Sequence, residues 1–117
     1  MIKEIAFFVY PVSSVPRARR FYEGALGLKL ESNFQGQWLE YDVNGTTFAI
    51  ATKDKKHQPA RHGGTIAFEV DDLEGMIKRL RKRRVRFVQA LSETPVCRFA
   101  TVADPDGNQI IIHQRKA

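Results

Sequence analysis

The sequence has almost none of the features that mark secreted, membrane-spanning or disulfide-stabilised proteins. Its one cysteine, Cys97, has no second thiol with which to form an internal disulfide. The longest apolar runs have five or six residues, as at 5–10, far short of the roughly 20 that a membrane helix requires. No basic region followed by an apolar stretch and a cleavage site opens the chain, so we expect no signal peptide. Together these absences predict a protein of the reducing cytoplasm.

What the 117 residues do contain is an ordinary globular composition, with 43% hydrophobic and 10% aromatic residues. This composition excludes disorder as the main state, and the length predicts a single domain. The formal net charge of +6 comes from one segment, 78–84, which holds six basic residues and no acidic one. The other 13 basic residues balance the 13 acidic residues. The positive charge is therefore a local patch on a neutral body.

A strand–helix–strand–strand–strand pattern occurs twice along the chain. The first copy opens with a strand rich in β-branched and aromatic residues at 4–10, and a helix then starts at the serine pair 13–14 and ends at Gly27. Three short strands follow at 28–32, 37–43 and 46–52. The Asn44-Gly45 pair between the last two strands predicts a tight hairpin.

The second copy repeats this order after a polar connector. Its opening strand at 65–70 matches residues 4–9 at a constant offset of 61, and Asp71 and Asp72 are cap candidates for the helix that follows. The remaining strands are predicted at 86–91, 97–102 and 108–114. We therefore divide the chain into repeat unit 1–52, connector 53–64 and repeat unit 65–117.

Two units that each curl a sheet over one helix would pair their open faces. This predicts an α+β fold of two β-α-β-β-β units whose curved mixed sheets form a cleft. Alternation along the opening strands then directs one set of side chains toward the helices: Ile5, Phe7, Ile66 and Phe68. It directs the other set toward the cleft: Glu4, Phe8, Ala67 and Glu69. His113 lies two residues beyond Ile111 and shares its side of the last strand.

Three segments in this doubled pattern carry a family resemblance. Residues 21–28 read FYEGALGL, residues 66–72 read IAFEVDD and residues 104–108 read DPDGN. In this order they resemble the vicinal-oxygen-chelate superfamily, also called the glyoxalase/bleomycin-resistance/dioxygenase family. The resemblance covers essentially the whole chain. It implies a paired β-α-β-β-β fold, often assembled as a homodimer, and enzymes that hold a divalent metal with His and Glu side chains.

Carried over by position, the metal ligands of that family are almost all absent. The ligand of the first strand falls on Glu4 and its repeat partner on Thr65, while the Glu of each closing strand falls on Ala49 and Ile111. A catalytic metal needs about three protein donors, and Glu4 alone does not supply them. We therefore predict no cofactor, which puts the metal-dependent activities of the family in doubt.

An atypical site remains an alternative. Glu4, Glu69 and His113 would supply two carboxylates and an imidazole, which is chemically adequate for a divalent metal. If the protein is an enzyme, the same three residues are the catalytic candidates, because partial burial would raise the pKa of Glu4 and Glu69 and make them general bases. The simpler interpretation is that both are rim carboxylates paired with Arg98 or with solvent.

Several side chains suit a small organic ligand in the cleft. Phe8 and Trp38 offer flat apolar surface, and Arg98 would anchor a carboxylate if it points inward. The predicted ligand-binding set is completed by Glu40, Glu69 and His113. We therefore expect a small-molecule-binding protein without a catalytic metal, and the alternative is a glyoxalase-type lyase or isomerase.

The basic segment 78–84 supports a third and weaker hypothesis. A cluster of lysines and arginines is the electrostatic footprint expected of a nucleic-acid-binding surface. The segment has no interleaved aromatic residues, and cations at the end of a helix are favoured by the helix dipole. We therefore favour a solvated helix face over a nucleic-acid partner. No membrane partner is expected.

Overall fold

The computed structural model describes residues 1, 5–60 and 63–116. The chain forms two compact units, Met1–Pro59 and Ala60–Ala117. The boundary between them lies inside the segment 53–64 that sequence analysis assigned to the connector. Each unit contains one four-stranded mixed sheet and one helical segment, so the predicted α+β fold is confirmed.

Unit 1 consists of a helical segment and a sheet with strand order β1-β4-β3-β2. Its elements are β1 (Phe7–Val12), α1 (Val15–Arg19), a π-helical continuation of α1 (Arg20–Ala25), β2 (Lys29–Phe34), β3 (Trp38–Val43) and β4 (Thr46–Thr52). Strand β1 runs parallel to β4, and the other neighbours are antiparallel. Strand β1 ends at Val12, two residues beyond the predicted end. It includes Pro11, which an edge strand tolerates because only one side of the strand is hydrogen-bonded.

Local sequence signals explain the boundaries of these elements. The Ser14 side chain caps α1 by accepting a hydrogen bond of 3.3 Å from the Arg17 N–H, and Pro16 occupies the first turn. Gly27 ends the helical segment with a φ of 77°. The core of the unit forms where the helical Tyr22 ring contacts Phe48 of the sheet, with 5.2 Å between ring centroids.

Unit 2 has the same topology, with strand order β5-β8-β7-β6. Its elements are β5 (Ile66–Glu69), α2 (Leu73–Lys82), β6 (Arg86–Glu93), β7 (Cys97–Ala103) and β8 (Gln109–Arg115). Asp72 caps α2 by accepting a hydrogen bond of 3.0 Å from the Gly75 N–H. The buried Asp104 carboxylate organises the β7–β8 turn by accepting hydrogen bonds from the backbone N–H groups of Asp106 and Asn108.

The basic segment forms the C-terminal half of α2 and the turn after it. Leu80 is fully buried, whereas the basic residues around it are exposed, as expected for a helix with one apolar side. The Arg81 guanidinium lies 4.3 Å from the centroid of the Phe87 ring. No helix in the described part of the chain is long and apolar enough to cross a membrane.

In each unit the helical segment covers one face of the sheet; we call the opposite face the helix-free face. In unit 2, Ile66 and Phe68 pair with the buried Ile110 and Ile112 on the helix side. Glu69 pairs with His113 on the helix-free face. The faces of β5 are therefore as predicted.

The predicted faces of β1 are wrong. Phe8 pairs with Phe48 on the helix side, whereas Phe7 and Val9 lie on the helix-free face. The two helix caps, Ser14 and Asp72, are 58 residues apart. The offset of 61 that aligns the opening strands exceeds this separation by three residues. Because side chains alternate between the two faces of a strand, an alignment error of an odd number of residues assigns each side chain to the wrong face.

Candidate functional site

A pocket lies on the helix-free face of unit 1. Its volume is about 560 Å³. It is lined by Val9, Pro11, Phe34, Gln37, Trp38, Ala51, Thr52, Asp54, Lys56, His57 and Gln58. Four of these residues form a continuous row across the sheet, because Ala51 pairs with both Pro11 and Trp38, and Trp38 pairs with Phe34. This row makes an apolar floor that crosses four strands.

The Trp38 side chain has a defined orientation in this floor. Its indole Nε1–H donates a hydrogen bond of 2.8 Å to the Glu40 carboxylate. The Phe7 ring meets the indole edge-on, with 5.4 Å between centroids and 88° between planes. The predicted Trp38–Phe8 surface is therefore replaced by a Trp38–Phe7 pair. Glu40 lies beside the pocket, and its carboxylate is engaged by Trp38.

A polar loop forms the rim of the pocket. The loop is attached to β1 by the Lys53 N–H, which donates to the Val12 carbonyl over 3.0 Å. The Asp54 carboxylate then accepts hydrogen bonds from the backbone N–H groups of His57 (2.7 Å) and Lys56 (2.8 Å). The His57 backbone N–H, followed by that of Lys56, is the main cause of the lowered pKa of Asp54. The rim is thus an ordered turn within the exposed connector that the sequence predicts.

Glu69 and His113, two of the catalytic candidates, form a pair on the helix-free face of unit 2. The His113 Nδ1 and the Glu69 carboxylate are 2.5 Å apart. The second carboxylate oxygen accepts the Arg115 backbone N–H over 2.8 Å. This backbone N–H is the largest cause of a lowered pKa for Glu69, and the contact with His113 is the next. The burial that would raise the pKa of Glu69 is absent, because the carboxylate is solvated and accepts two hydrogen bonds, as in the simpler interpretation of a rim carboxylate.

Arg98, the predicted anion anchor, does not lie with this pair. It pairs with Gln114 on the helix side of the sheet, whereas Glu69 and His113 lie on the other side. Its guanidinium donates to Glu74 of α2 over 2.8 Å. The inward orientation on which the predicted anchoring role depended is not adopted, because the guanidinium reaches the helix.

The positions that hold metal in the family carry no metal ligands where the structure describes them. Ala49 and Ile111 lie on the helix-free faces of β4 and β8. By the offset of the helix caps, Thr65 corresponds to Phe7 rather than to Glu4. A phenyl ring and aliphatic side chains cannot coordinate a divalent ion, and the neutral hydroxyl of Thr65 alone does not supply the donors that a site requires, so these positions do not fit the metal.

The atypical set of Glu4, Glu69 and His113 is brought together only in part. Glu69 and His113 are in contact, whereas Glu4 lies outside the described residues. Within residues 1, 5–60 and 63–116, no three His, Cys, Asp or Glu side chains are grouped closely enough to hold a metal ion. The set therefore stays a prediction.

Unit 2 has a second, more open depression beside the N-terminus of α2. Its volume is about 830 Å³. It is lined by Glu69, Val70, Asp71, Asp72, Gly75, Met76, Arg79, Gln114 and Arg115. Its lining includes three carboxylates and two guanidinium groups, so it is less suited to an apolar body than the pocket of unit 1. The pocket of unit 1 is the better candidate for binding an organic molecule.

Several residues of that pocket were absent from the predicted site. Val9 and Pro11 were missed because the odd offset turned β1 over, and an alignment on the caps Ser14 and Asp72 would have recovered them. Phe34 sits at the end of a mostly polar strand and gives no signal of its own. The polar, Pro- and Gly-containing sequence predicts an exposed connector for the rim residues, and they are exposed, but it gives no signal that they line a pocket.

Solved structures with the same fold include proteins of related description. An antibiotic-binding protein, TnmS3, from Streptomyces sp. CB03234 is 28% identical, with a TM-score of 0.83 and coverage of 98% of each chain. A glyoxalase/bleomycin resistance protein from the same organism is 29% identical, with a TM-score of 0.77 and coverage of 95% of this chain and all of that one. A lactoylglutathione lyase from Agrobacterium tumefaciens shares the fold at 16% identity, with a TM-score of 0.78 and coverage of 97% and 95%.

Among curated proteins, no sequence matches the chain. The family description "Glyoxalase/Bleomycin resistance protein/Dioxygenase superfamily" matches residues 4–112, nearly the whole length. The family match thus covers the residues that form the doubled topology, the helix caps and the turn around Asp104. The chain belongs to the glyoxalase/bleomycin resistance protein/dioxygenase superfamily.

Proposed function

We propose that this protein binds a small organic molecule with a flat apolar body, reversibly and without a catalytic metal, in the pocket of unit 1. The observation that carries the proposal is the floor of Pro11, Ala51, Trp38 and Phe34, which presents apolar surface across the whole sheet. The volume of about 560 Å³ falls within the usual range for small-molecule pockets, which is roughly 300 to 1,000 Å³.

The exposure of the apolar lining supports this proposal. Phe34 of the floor is 65% exposed, and Val9, which also lines the pocket, is 36% exposed. Removing apolar surface from water is favourable by roughly 25 cal/mol for each Å². A flat ligand that covers this floor would therefore be stabilised by the apolar surface that it and the floor bury. The hydrogen bond from Trp38 to Glu40 fixes the indole before the ligand arrives, which reduces the entropy cost of binding.

The relatives point in the same direction. TnmS3 is described as an antibiotic-binding protein and shares 28% identity over almost the full length of both chains. The described positions that correspond to family metal ligands carry Ala49, Thr65 and Ile111, with Phe7 added by the offset of the helix caps, and none of them offers a carboxylate or an imidazole for coordination. Binding without metal chemistry is therefore the function that these residues support best.

The test uses Trp38, the single tryptophan, as a reporter. Its fluorescence would be followed while the protein is titrated with a panel of planar aromatic compounds. Ala51→Leu should weaken binding at least tenfold, because the larger side chain would occupy the floor while Trp38 is retained. Ala67→Leu places the same substitution on the helix-free face of unit 2 and serves as the matched control. Binding that is equally tight in wild type and Ala51→Leu would contradict the proposal, as would a panel in which no compound changes the Trp38 emission.

The Glu69–His113 pair favours a second candidate function, a lyase or isomerase reaction of the glyoxalase type. If Nδ1–H of His113 is donated to Glu69, Nε2 is left as a proton acceptor, and the imidazole rather than the carboxylate is the base. The assay would follow thioester formation from the hemithioacetal of an α-ketoaldehyde, with chelator and with added divalent metal. Activity lost in both His113→Gln and Glu69→Gln, and retained in Ala51→Leu, would favour this candidate.

A further inference from the structure

The ionisable groups that line the pocket of unit 1 are unequal in their availability to a ligand. The described lining residues include three such groups: Asp54, Lys56 and His57. The Asp54 carboxylate is directed into its own loop, where it accepts the backbone N–H groups of Lys56 and His57 and contacts the His57 ring at 3.2 Å. The Asp54 carboxylate thus already has hydrogen-bond partners within the turn.

The Lys56 ammonium is not engaged in this way. Lys56 uses its backbone N–H to bind Asp54, and within the described parts of both units its ammonium group has no ion-pair partner. Lys53 and Lys55 flank Asp54 in the same loop and make its surroundings positive. The remaining polar lining residues, Gln37, Thr52 and Gln58, are uncharged. The polar rim above the apolar floor therefore includes a lysine that is available to pair with a ligand.

The loop that carries this cation has a defined shape. Its backbone closes between the Asp54 N–H and the His57 carbonyl at 3.1 Å, and the Lys53 N–H attaches it to β1. Lys56 lies between these fixed points. The ordered turn places Lys56 in the lining of the pocket that has the apolar floor, which is the arrangement required to recognise one charged group on a flat molecule.

We propose that the ligand of this pocket is an aromatic anion, whose flat body covers the row from Pro11 to Phe34 and whose carboxylate, sulfonate or similar group pairs with the Lys56 ammonium. This inference rests on the proposed function and adds the chemical class of the ligand. It assigns to Lys56 the anchoring role that sequence analysis gave to Arg98. The guanidinium of Arg98 is instead engaged by Glu74 on the helix side of unit 2.

Two fluorescent probes with closely related aromatic bodies separate charge recognition from apolar contact. Anilinonaphthalene sulfonate carries an anionic group, and phenylnaphthylamine lacks it. Energy transfer from Trp38 to each bound dye reports binding near the pocket. The variants are Lys56→Met and, as a charge-matched control at a neighbouring residue outside the lining, Lys55→Met.

Lys56→Met should weaken the sulfonate roughly fivefold at low salt, as expected for a partly solvated ion pair, and change phenylnaphthylamine less than twofold. The difference between the dyes should shrink as salt is added, because solvent ions screen the pair. Lys55→Met should leave both affinities within twofold of wild type.

Two failures can be told apart. If neither dye binds, or if Ala51→Leu alters neither affinity, the proposed function itself is overturned. If both dyes bind and Ala51→Leu weakens both, while Lys56→Met and Lys55→Met affect the sulfonate equally, the pocket binds ligands but the role of Lys56 is overturned.

Discussion

The Tyr41 hydroxyl donates a hydrogen bond of 2.9 Å to the Glu23 carboxylate, joining the π-helical segment of unit 1 to the centre of its sheet. The same carboxylate accepts the Arg19 Nε–H over 2.7 Å. The hydrogen bond from Arg19 is the largest cause of the lowered pKa of Glu23. Burial, followed by the bond to Glu23, raises the pKa of Tyr41, which keeps its hydroxyl protonated and able to donate. One carboxylate thus connects helix and sheet, and its hydrogen bonds are strongest while it is ionised.

This connection predicts a dependence of stability on pH. Folding lowers the pKa of Glu23. At acidic pH, this carboxyl group therefore binds fewer protons in the native state than in the unfolded chain. The resulting stabilisation is complete above the ordinary pKa of about 4.5 and is lost as the pH falls below it, toward the lowered native value. Glu23→Gln should cost about 1 to 2 kcal/mol at neutral pH and almost nothing in strong acid.

The measurement is urea unfolding of wild type and Glu23→Gln at a series of pH values. Comparing the two proteins removes the contributions of other carboxylates with lowered pKa, such as Glu69 and Asp54. Glu31→Gln, at an exposed position of β2, is the matched control and should leave the curve unchanged. A difference between wild type and Glu23→Gln that stays constant from neutral to acid pH would contradict the prediction.

The parts of the fold that sequence analysis predicted correctly are those encoded by neighbouring residues. Asn44-Gly45 forms a hairpin because positive φ at both residues suits that turn, and both adopt it, with φ of 51° and 90°. Asp72 caps α2 through the N–H of Gly75, only three residues away. Such features depend on a few adjacent side chains and need no knowledge of the rest of the chain.

The errors arose where two distant segments had to be related. The face of β1 depends on its register with β4, about 40 residues further along, and an alignment error of three residues turned Phe8 away from its predicted side. Arg98 reaches Glu74 across 24 positions of sequence, and no local pattern announces that contact. The predicted orientations of Phe8 and Arg98 were therefore wrong even though the strands that carry them were predicted, and the ligand-binding set itself stays a prediction.

The hairpin at Gly45 allows a direct test of backbone conformation. A Cβ added there would meet no atom within 4 Å, so Gly45→Ala introduces no clash, but a φ of +90° is strained for alanine. We expect a loss of about 1 kcal/mol in the free energy of unfolding. Gly64→Ala is the control, because that position is equally open and its φ lies outside the strained range. Equal effects of the two substitutions in chemical denaturation would show that φ is not the cause.

The cap of α2 predicts a contrast between two adjacent acids. The Asp72 carboxylate accepts the Gly75 N–H, whereas Asp71 contributes its carbonyl oxygen to the Gln114 side chain. Asp72→Ala should therefore destabilise the protein by about 1 kcal/mol, and Asp71→Ala, which keeps its carbonyl, should have a much smaller effect. Thermal unfolding of both variants is the measurement. A larger loss for Asp71→Ala would mean that the acidic charge near the helix, rather than the cap, is responsible.

The reversed face of β1 can be tested with two adjacent phenylalanines of similar exposure, 45% for Phe7 and 42% for Phe8. Phe7 meets the Trp38 indole edge-on, whereas Phe8 is on the helix side with Phe48. Phe7→Ala should expose the indole to water, shift the Trp38 emission to longer wavelength and lower its anisotropy, because an apolar contact is replaced by solvent. Phe8→Ala should leave both signals close to wild type while it alters the packing beneath the sheet. If Phe8→Ala instead produced the spectral shift and Phe7→Ala did not, the offset of 61 would describe the strand better than the offset of 58, and Val9 and Pro11 would have to be removed from the lining of the pocket.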